Sequence, residues 1–169
     1  YTAQQTLNLV QSLYEKKLCT YPRTDARYLT SDMEKSIPEL INASANLINR
    51  TITEYDELKV IDNDKVTDHH AIIPTKNVVN LDLASLDEGE INILTMIATR
   101  LLCAVSESFY YFLDKAFIRC GDTEFTVSYR VIDNYGWKSF VDDENEDTDE
   151  YKVEVNINEG DVFMVNKYE

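Results

Sequence analysis

The stretch INILTMIATRLLCAVSESFYYFLDKAFIRCGDTEFTVSYRVI, residues 91–132, changes from a helical pattern to a strand pattern along its length. In its first half, apolar residues recur at spacings of three and four, which predicts a helix near residues 86–107. Residues 110–120 and 123–132 then alternate and are rich in Tyr, Phe, Val and Ile, with a Gly-Asp pair between them. That pattern predicts a β-hairpin. The chain therefore joins a helical part to a β part, which predicts the α+β class.

Further helices are predicted before this stretch. Residues 3–17 have an amphipathic helical pattern with lysines at the C-terminal end, where cations suit the helix dipole. Ser31 and Glu34 have the spacing of a capping box, which predicts the start of a second helix. Ser85 and Glu88 have the same spacing ahead of the third helix.

Short strands are predicted after the hairpin. Residues 138–141 follow a turn at 135–137, and residues 151–157 and 162–165 flank a turn at 158–161. These strands have few partners among themselves, and small sheets are marginal on their own. The chain also begins with Tyr1 rather than Met. For both reasons we expect a piece of a larger protein.

The chain has 169 residues, a length typical of one domain or two small lobes. The change of pattern divides it into a helical lobe, residues 1–108, and a β lobe, residues 109–169. The β lobe contains the acidic block DDENEDTDE, residues 142–150. A block of like charges this dense is typical of a solvated loop, and the alternative is a site for a basic partner.

The net charge of −15 at first argues against binding of nucleic acid, which depends on Lys and Arg. Counting by position changes that interpretation. The block 142–150 holds seven acidic residues and no basic one, whereas residues 14–28 hold four basic and two acidic residues. One locally basic, tyrosine-rich segment therefore lies in an acidic background.

The composition excludes several classes of protein. At 44% apolar and 28% charged residues, the chain can bury a core and is not a disordered tail. No apolar run approaches the roughly 20 residues of a membrane span, and no signal peptide is evident. The three cysteines have no CxxC spacing, which argues against a disulfide framework or a cysteine zinc site and suggests a reducing compartment.

The segment YPRTDAR, residues 21–27, is a candidate for chemistry. Pro22 favours extended backbone at Tyr21, and alternate residues of an extended chain share a face, so Tyr21 and Arg23 are expected side by side. A tyrosine can attack a phosphodiester as a covalent nucleophile, and an arginine can grip the phosphate and stabilise developing charge. A buried tyrosine beside a surface arginine is the alternative, because the pattern alone is weak.

A second candidate is TDHHAIIPT, residues 67–75. Adjacent histidines do not share a face in a helix or a strand, so this pair does not predict a two-histidine metal site. One of them could donate a hydrogen bond or a proton to a phosphate, and ordinary surface or core histidines are the alternative. The four glycines are scattered, so no phosphate-binding glycine loop is present, and no metal ligand is assigned within this chain.

Two motifs carry a resemblance to a known family. TLNLVQSLYEKKLCTYPRTDARYLTSDM, residues 6–33, resembles the active-site segment of type IA DNA topoisomerases, particularly the topoisomerase III branch. TDHHAIIPT resembles the second motif of that branch. RVIDNYGWKSF, residues 130–140, and NEGDVF, residues 158–163, follow in the same order. The resemblance covers nearly the whole chain, and two motifs in order make it more specific than either alone.

The resemblance implies catalytic roles for Tyr21, Arg23 and His69. The residue matching Tyr21 attacks single-stranded DNA and forms a 5′-phosphotyrosyl intermediate, another strand passes through the gap, and the break is resealed. The residue matching Arg23 positions the tyrosine and the scissile phosphate. The residue matching His69 contacts phosphate near the cleavage site.

The resemblance also implies DNA contacts by neighbouring residues. Arg27 is a candidate for the DNA backbone, His70 is a further DNA-binding candidate, and Asp25 is expected to orient the arginines. One departure is Ala26, where the family motif often has a small polar residue. We expect the chemistry to survive it, because a methyl group removes only an accessory hydrogen bond.

The family enzyme is a toroid that binds Mg²⁺ through an acidic Toprim domain, which nothing in this chain resembles. The chain is expected to supply a winged-helix-like unit with the tyrosine and half of the β arch domain, and to be inactive alone. Expected partners are single-stranded DNA, the remaining domains of the same chain and a candidate helicase. We expect a monomer in the bacterial cytoplasm, associated with the nucleoid and not with a membrane.

Two other functions stay open from the sequence. One is a noncatalytic module that binds single-stranded nucleic acid. The other is an acidic interaction module that uses residues 142–150 against a basic partner.

Overall fold

A computed structural model describes residues 1–141, 158–162 and 164. Helices and one antiparallel sheet are both present, so the predicted α+β class is confirmed. The helices and strands are α1 (Ala3–Glu15), α2 (Ile37–Leu47), α3 (Glu88–Val105), β1 (Tyr110–Cys120) and β2 (Thr123–Asn134). Short 3-10 turns connect α2 to α3. Within the described ranges, no helix combines the length and apolarity that crossing a membrane requires.

The described chain divides into two compact units. The first contains residues 1–109 and 135–141, and the second contains the hairpin at 110–134. Residues 135–141 thus cluster with the helical unit, although the sequence pattern assigned them to the β lobe. The predicted boundary after residue 108 stays a prediction.

The core of the first unit forms around α3, which is apolar on two sides. One cluster joins α3 to α1, and a second joins α3 to α2 and to the turns that follow it. Leu13, Ile41, Leu94 and Leu102 are fully buried in these clusters. Burial of such side chains contributes about 1.5–3 kcal/mol each, so α3 is the main support of the unit.

The start of α3 differs from the prediction. Asp87 caps the helix by accepting the N–H of Glu90 at 2.8 Å, while the Glu90 side chain accepts the N–H of Asp87 at 3.1 Å. The capping box predicted at Ser85 and Glu88 is therefore wrong by two residues. The Ser85 hydroxyl is used elsewhere, since it donates to the carbonyl of Asp82 at 2.6 Å.

Glu90 also joins α3 to α1. Its carboxylate accepts from the Lys16 ammonium and from the Ser12 hydroxyl, each at 2.6 Å, and its side chain is buried. Burial alone would raise the pKa of Glu90, but the hydrogen bonds from Lys16 and Ser12 outweigh it and lower the pKa. One carboxylate therefore serves both as a helix cap and as an interhelical contact.

The start of α2 also differs from the prediction. Ser31 and Glu34 form no capping box: Ser31 begins a short 3-10 turn, and its hydroxyl accepts from the Asn63 side chain at 2.9 Å. The helix starts later, with Pro38 in its first turn. A proline is well placed there, because the first N–H groups of a helix have no partner within the helix.

The hairpin matches its prediction closely. β1 and β2 pair antiparallel from Cys120 and Thr123 at the turn, with an irregularity at the far end. Gly121 has a positive φ of +61° at the first turn position, where type II′ turns need glycine. Phe112 pairs with Val131, and both are exposed.

The predicted strand at 138–141 is wrong. Gly136–Phe140 forms a 3-10 helix that packs on α3. Gly136 has a φ of +47°, and a Cβ there would lie 2.3 Å from the carbonyl oxygen of Ser108. The backbone approaches this closely only because glycine has no side chain.

Some predictions concern other parts of the C-terminal region. The turn at 158–161 is confirmed, since the Asp161 N–H donates to the carbonyl of Asn158 at 3.1 Å. The acidic block 142–150 and the strand predicted at 151–157 lie outside the described residues. The strand predicted at 162–165 lies outside them as well, apart from Val162 and Met164.

Candidate functional site

The two sequence motifs lie against each other in the first unit. An isolated antiparallel bridge joins them. The Thr20 N–H donates to the carbonyl of Ile73, and the Thr75 N–H donates to the carbonyl of Leu18, both at 3.0 Å. Segments that are far apart in sequence are thus held side by side by backbone hydrogen bonds.

Two threonine side chains extend this contact. The Thr20 hydroxyl donates to the carbonyl of Ala71 at 3.1 Å and accepts the N–H of Ile73 at 3.0 Å. The Thr24 hydroxyl donates to the carbonyl of His69 at 2.8 Å. Thr20 and Thr24 flank Tyr21, so they fix the backbone on both sides of the predicted nucleophile relative to the histidine motif.

This contact brings Tyr21 and His69 together. Their ring centroids are 4.3 Å apart, with the planes tilted by 43°. The Tyr14 ring meets Tyr21 from α1, at 5.5 Å between centroids and 79° between planes, an edge-on arrangement. Tyr21 is half-buried and His69 is exposed. The Tyr21 ring therefore contacts two other aromatic rings at the surface.

The segment after Tyr21 is not the extended strand that was expected. Its backbone bends at Pro22 and Arg23, and the Thr24 hydroxyl accepts the N–H of Ala26 at 3.0 Å. A hydroxyl that bonds the backbone two residues on forms a local turn. The argument that extended backbone places Tyr21 and Arg23 on one face is therefore wrong, and the roles of both residues stay predictions.

The other predicted residues lie around this centre. Arg23, Asp25 and Arg27 are exposed, and His70 is half-buried with Nδ1 2.8 Å from the carbonyl oxygen of Ala71. In the part of the chain that the structure describes, none of the four makes a ring contact or hydrogen bond with Tyr21. Asp25 also forms no ion pair with either arginine there, so its orienting role stays a prediction.

Several residues of the site were not predicted. Thr20, Thr24 and Tyr14 all support Tyr21, and none was singled out from the sequence. The two threonines give no local signal, because their hydroxyls bond backbone 45 to 53 residues away in sequence. Tyr14 could not be found either, since its contact depends on how α1 packs.

The part of the chain that the structure describes does not fit a bound metal ion. The described residues contain no group of three or more His, Cys, Asp or Glu side chains that could hold one. His69 and His70 point to no shared site, because the His70 ring is engaged with the backbone beside it.

Comparison with known proteins assigns the chain to a family. The family model for DNA topoisomerase matches residues 1–169. The chain belongs to the DNA topoisomerase family. DNA topoisomerase 3 of Bacillus licheniformis is 34% identical over 160 residues, which cover 89% of this chain and 22% of that protein. The resemblance to the topoisomerase III branch, based on the two motifs, is confirmed.

Other relatives carry the same name. DNA topoisomerase 3 of a Bacillus cereus strain is 33% identical over 184 residues, covering 98% of this chain and 24% of that protein. DNA topoisomerase 3 of Bacillus subtilis (strain 168) is 34% identical over 161 residues, covering 89% and 22%. This topoisomerase chain therefore spans less than a quarter of the length of these relatives.

Proposed function

We propose that the chain is the tyrosine-bearing part of a type IA DNA topoisomerase and that Tyr21 is its nucleophile. The observation that carries the proposal is the contact of Tyr21 with His69, because it joins the two motifs in one surface site. Family membership supplies the reaction class. In this proposal the substrate is single-stranded DNA.

The reaction is a reversible transfer of a phosphodiester. The Tyr21 phenol oxygen bonds to phosphorus as the bond from phosphorus to the 3′-oxygen breaks. The phenol loses its proton, the leaving 3′-oxygen gains one, and a 5′-phosphotyrosyl bond results. Another strand passes through the gap, and the 3′-hydroxyl then attacks the phosphotyrosine to restore the original bonds.

The neighbouring residues are assigned the contacts with the phosphate and with the surrounding DNA. His69 is exposed and lies against the Tyr21 ring, so a phosphate attacked by Tyr21 would come within its reach as a hydrogen-bond or proton donor. Arg23 follows by two residues and is exposed, which leaves its guanidinium available to position the phosphate. Arg27, Asp25 and His70 are proposed for the surrounding DNA contacts.

We propose that the Mg²⁺ of the complete enzyme is held by a Toprim domain outside this chain. The described residues do not fit such an ion, so no step of the reaction is assigned to it here. On this proposal the chain alone, incubated with Mg²⁺ and a single-stranded oligonucleotide, forms no covalent adduct.

The two units fit this assignment. We propose that the first unit is the winged-helix-like tyrosine domain and that the hairpin is part of the arch domain. One face of the hairpin exposes several large apolar side chains beside the single carboxylate of Asp114. They are Phe112, Ile118, Phe125, Val127 and Val131. Faces of this kind are usually covered by a partner, and the remaining domains of the same enzyme are proposed to cover it.

The cellular setting is part of the same proposal. The relatives named above are bacterial enzymes, which favours action on nucleoid DNA in the cytoplasm. A helicase that supplies single strands is a candidate partner, and the chain is proposed to be monomeric.

The experiment restores the missing domains and compares Tyr21→Phe with Tyr14→Phe. Tyr21→Phe keeps the ring contacts and removes the nucleophilic oxygen, so it should abolish both the covalent adduct and relaxation. Tyr14→Phe removes a neighbouring hydroxyl and should retain both activities. Circular dichroism of each variant checks folding. Adduct formation by Tyr21→Phe would show that the nucleophile is a different residue.

The same experiment distinguishes the proposed enzyme from a noncatalytic module that binds nucleic acid. A module that only binds nucleic acid predicts salt-dependent binding of single strands and no adduct from any variant of the restored protein. Deletion of residues 142–150 tests the acidic module, which alone predicts that binding of a basic partner is lost.

A further inference from the structure

A surface cavity of about 800 Å³ lies in the first unit, next to the second motif. Residues 71–73 of that motif line it, and α3 forms the opposite wall. Apolar side chains form much of the lining, including Leu29, Ile73 and Leu101. Its volume falls within the roughly 300–1,000 Å³ typical of pockets for small ligands.

Two arginines line this cavity, Arg27 after the first motif and Arg100 on α3. Both are exposed, and neither forms an ion pair or a side-chain hydrogen bond with any residue that the structure describes. Two guanidinium groups without a carboxylate partner at one cavity favour an anionic ligand.

Trp137 supplies an aromatic ring to the same cavity. Its backbone is fixed, since its N–H donates to the carbonyl of Glu107 at 2.9 Å and its carbonyl accepts from the Cys103 thiol at 3.5 Å. The ring is half-buried, and its indole N–H donates to no residue in the described ranges. The cavity thus presents an aromatic ring on a fixed backbone, and its indole N–H has no partner among the described residues.

Two exposed arginines, an aromatic ring and an apolar lining together match a nucleotide. Proteins hold single strands by stacking bases on aromatic rings and by neutralising the backbone with Arg and Lys. We propose that this cavity binds one nucleotide unit of single-stranded DNA, with the base against Trp137 and the adjoining phosphates at Arg27 and Arg100. The proposal rests on the proposed function, because the strand held there is the one that Tyr21 would attack.

Trp137 is the only tryptophan of the chain, so its fluorescence reports on the cavity directly. Titration of the chain with oligothymidylate of about 12 nucleotides should quench this emission to saturation. An abasic strand of equal length should bind more weakly and leave the emission nearly unchanged. Equal quenching by the abasic strand, or none by oligothymidylate, would overturn the proposal.

Substitutions test which residues contact the strand in the cavity. Arg100→Ala should weaken binding at least about 5-fold and reduce the slope of log K against log salt by about 0.7, the share of one phosphate contact on a single strand. Arg100→Lys should keep that slope. Arg119→Ala is the matched control, because Arg119 is exposed on β1 and faces Glu124 at 3.9 Å, and it should change neither quantity.

Trp137→Phe tests the base contact by anisotropy of a labelled strand, and about 10-fold weaker binding is expected. If Arg100→Ala and Trp137→Phe both bind normally while circular dichroism shows them folded, the cavity is not the site.

Tyr21→Phe separates this proposal from the proposed function. It should leave quenching of Trp137 intact, because its oxygen contributes nothing to the cavity. If Tyr21→Phe still forms a covalent adduct in the restored enzyme, the nucleophile assignment fails while quenching continues to support the cavity. If quenching is absent but the adduct depends on Tyr21, only the cavity proposal fails.

Discussion

The rings of Tyr21 and His69 lie 4.3 Å apart between centroids, although they belong to different motifs. The contact is produced by the fold, because Thr20 and Thr24 bond the backbone of the second motif on either side of Tyr21. Neither motif alone contains the site. Its geometry depends on hydrogen bonds between segments that come together only when the first unit folds.

We predict that His69→Ala in the restored enzyme lowers the rate of cleavage by about 100-fold, the usual loss when a positioned proton or hydrogen-bond donor is removed. His70→Ala is the matched control, since the His70 ring is engaged with the carbonyl of Ala71 and should affect cleavage less than about 10-fold. Single-turnover cleavage of a labelled oligonucleotide measures both. Equal losses of cleavage rate in the two variants would show that His69 has no larger role than His70.

We predict that Thr20→Val destabilises the first unit by about 1–3 kcal/mol, because valine keeps the shape but removes a hydroxyl that both donates and accepts. The N–H of Ile73 is then left without its side-chain acceptor. Urea unfolding followed by Trp137 fluorescence measures the loss. Thr24→Val serves as a comparison, because the hydrogen bond from Thr24 to the carbonyl of His69 is exposed. An unchanged midpoint for Thr20→Val would contradict the prediction.

We predict that Glu90 makes stability fall in acid. The pKa of Glu90 is lower in the folded chain than the usual value of about 4.3. The ionised carboxylate therefore stabilises the fold fully when the pH is above about 4.3. This stabilisation is lost as the pH falls through the pKa of the folded chain. Glu90→Gln should cost about 1–2 kcal/mol at neutral pH and lose less stability between about pH 5 and pH 3.

The control for this prediction is Glu88→Gln. Glu88 is exposed in the same helical turn and should change stability by less than about 1 kcal/mol. Urea midpoints measured across the pH range compare the three proteins. If the urea midpoints of Glu90→Gln and of the unmodified chain change with pH in the same way, another group causes the loss of stability in acid.

We predict that the three cysteines differ in reactivity. Burial raises the pKa of Cys19 to about 11 and also raises that of Cys103, whereas Cys120 is exposed on β1. A thiol reagent at neutral pH should therefore label Cys120 first and Cys19 only on unfolding. Mass spectrometry of the labelled peptides measures the order, and early labelling of Cys19 would mean that its part of the core opens readily.

Strong local patterns could be interpreted directly from the sequence. The hairpin was predicted because its alternation and its Gly121 turn are both local signals. The apolar residues at spacings of three and four along α3 were equally informative. The capping residues were misplaced because several polar residues near each helix start satisfy the same spacing, and only packing decides which one is used.

The site was predictable by residue type but not by geometry. The sequence singled out Tyr21 and His69 separately, and nothing local predicts that their rings meet. The supposed extended run from Tyr21 to Arg23 failed because the backbone bends at Pro22 and Arg23. Trp137 was predicted in a turn, and its place on the cavity follows from the close approach at Gly136.

We predict that Gly136→Ala destabilises the first unit by at least about 3 kcal/mol. The new Cβ would meet the carbonyl oxygens of Ser108 at 2.3 Å and Glu107 at 2.6 Å, and the φ of +47° is unfavourable for alanine. Gly121→Ala is the control, since its φ is also positive, at +61°, but nothing lies within 4 Å of the new Cβ. It should cost only about 1–2 kcal/mol. Thermal unfolding followed by circular dichroism and by Trp137 fluorescence compares the variants, and equal costs would mean that the backbone around Gly136 can relax.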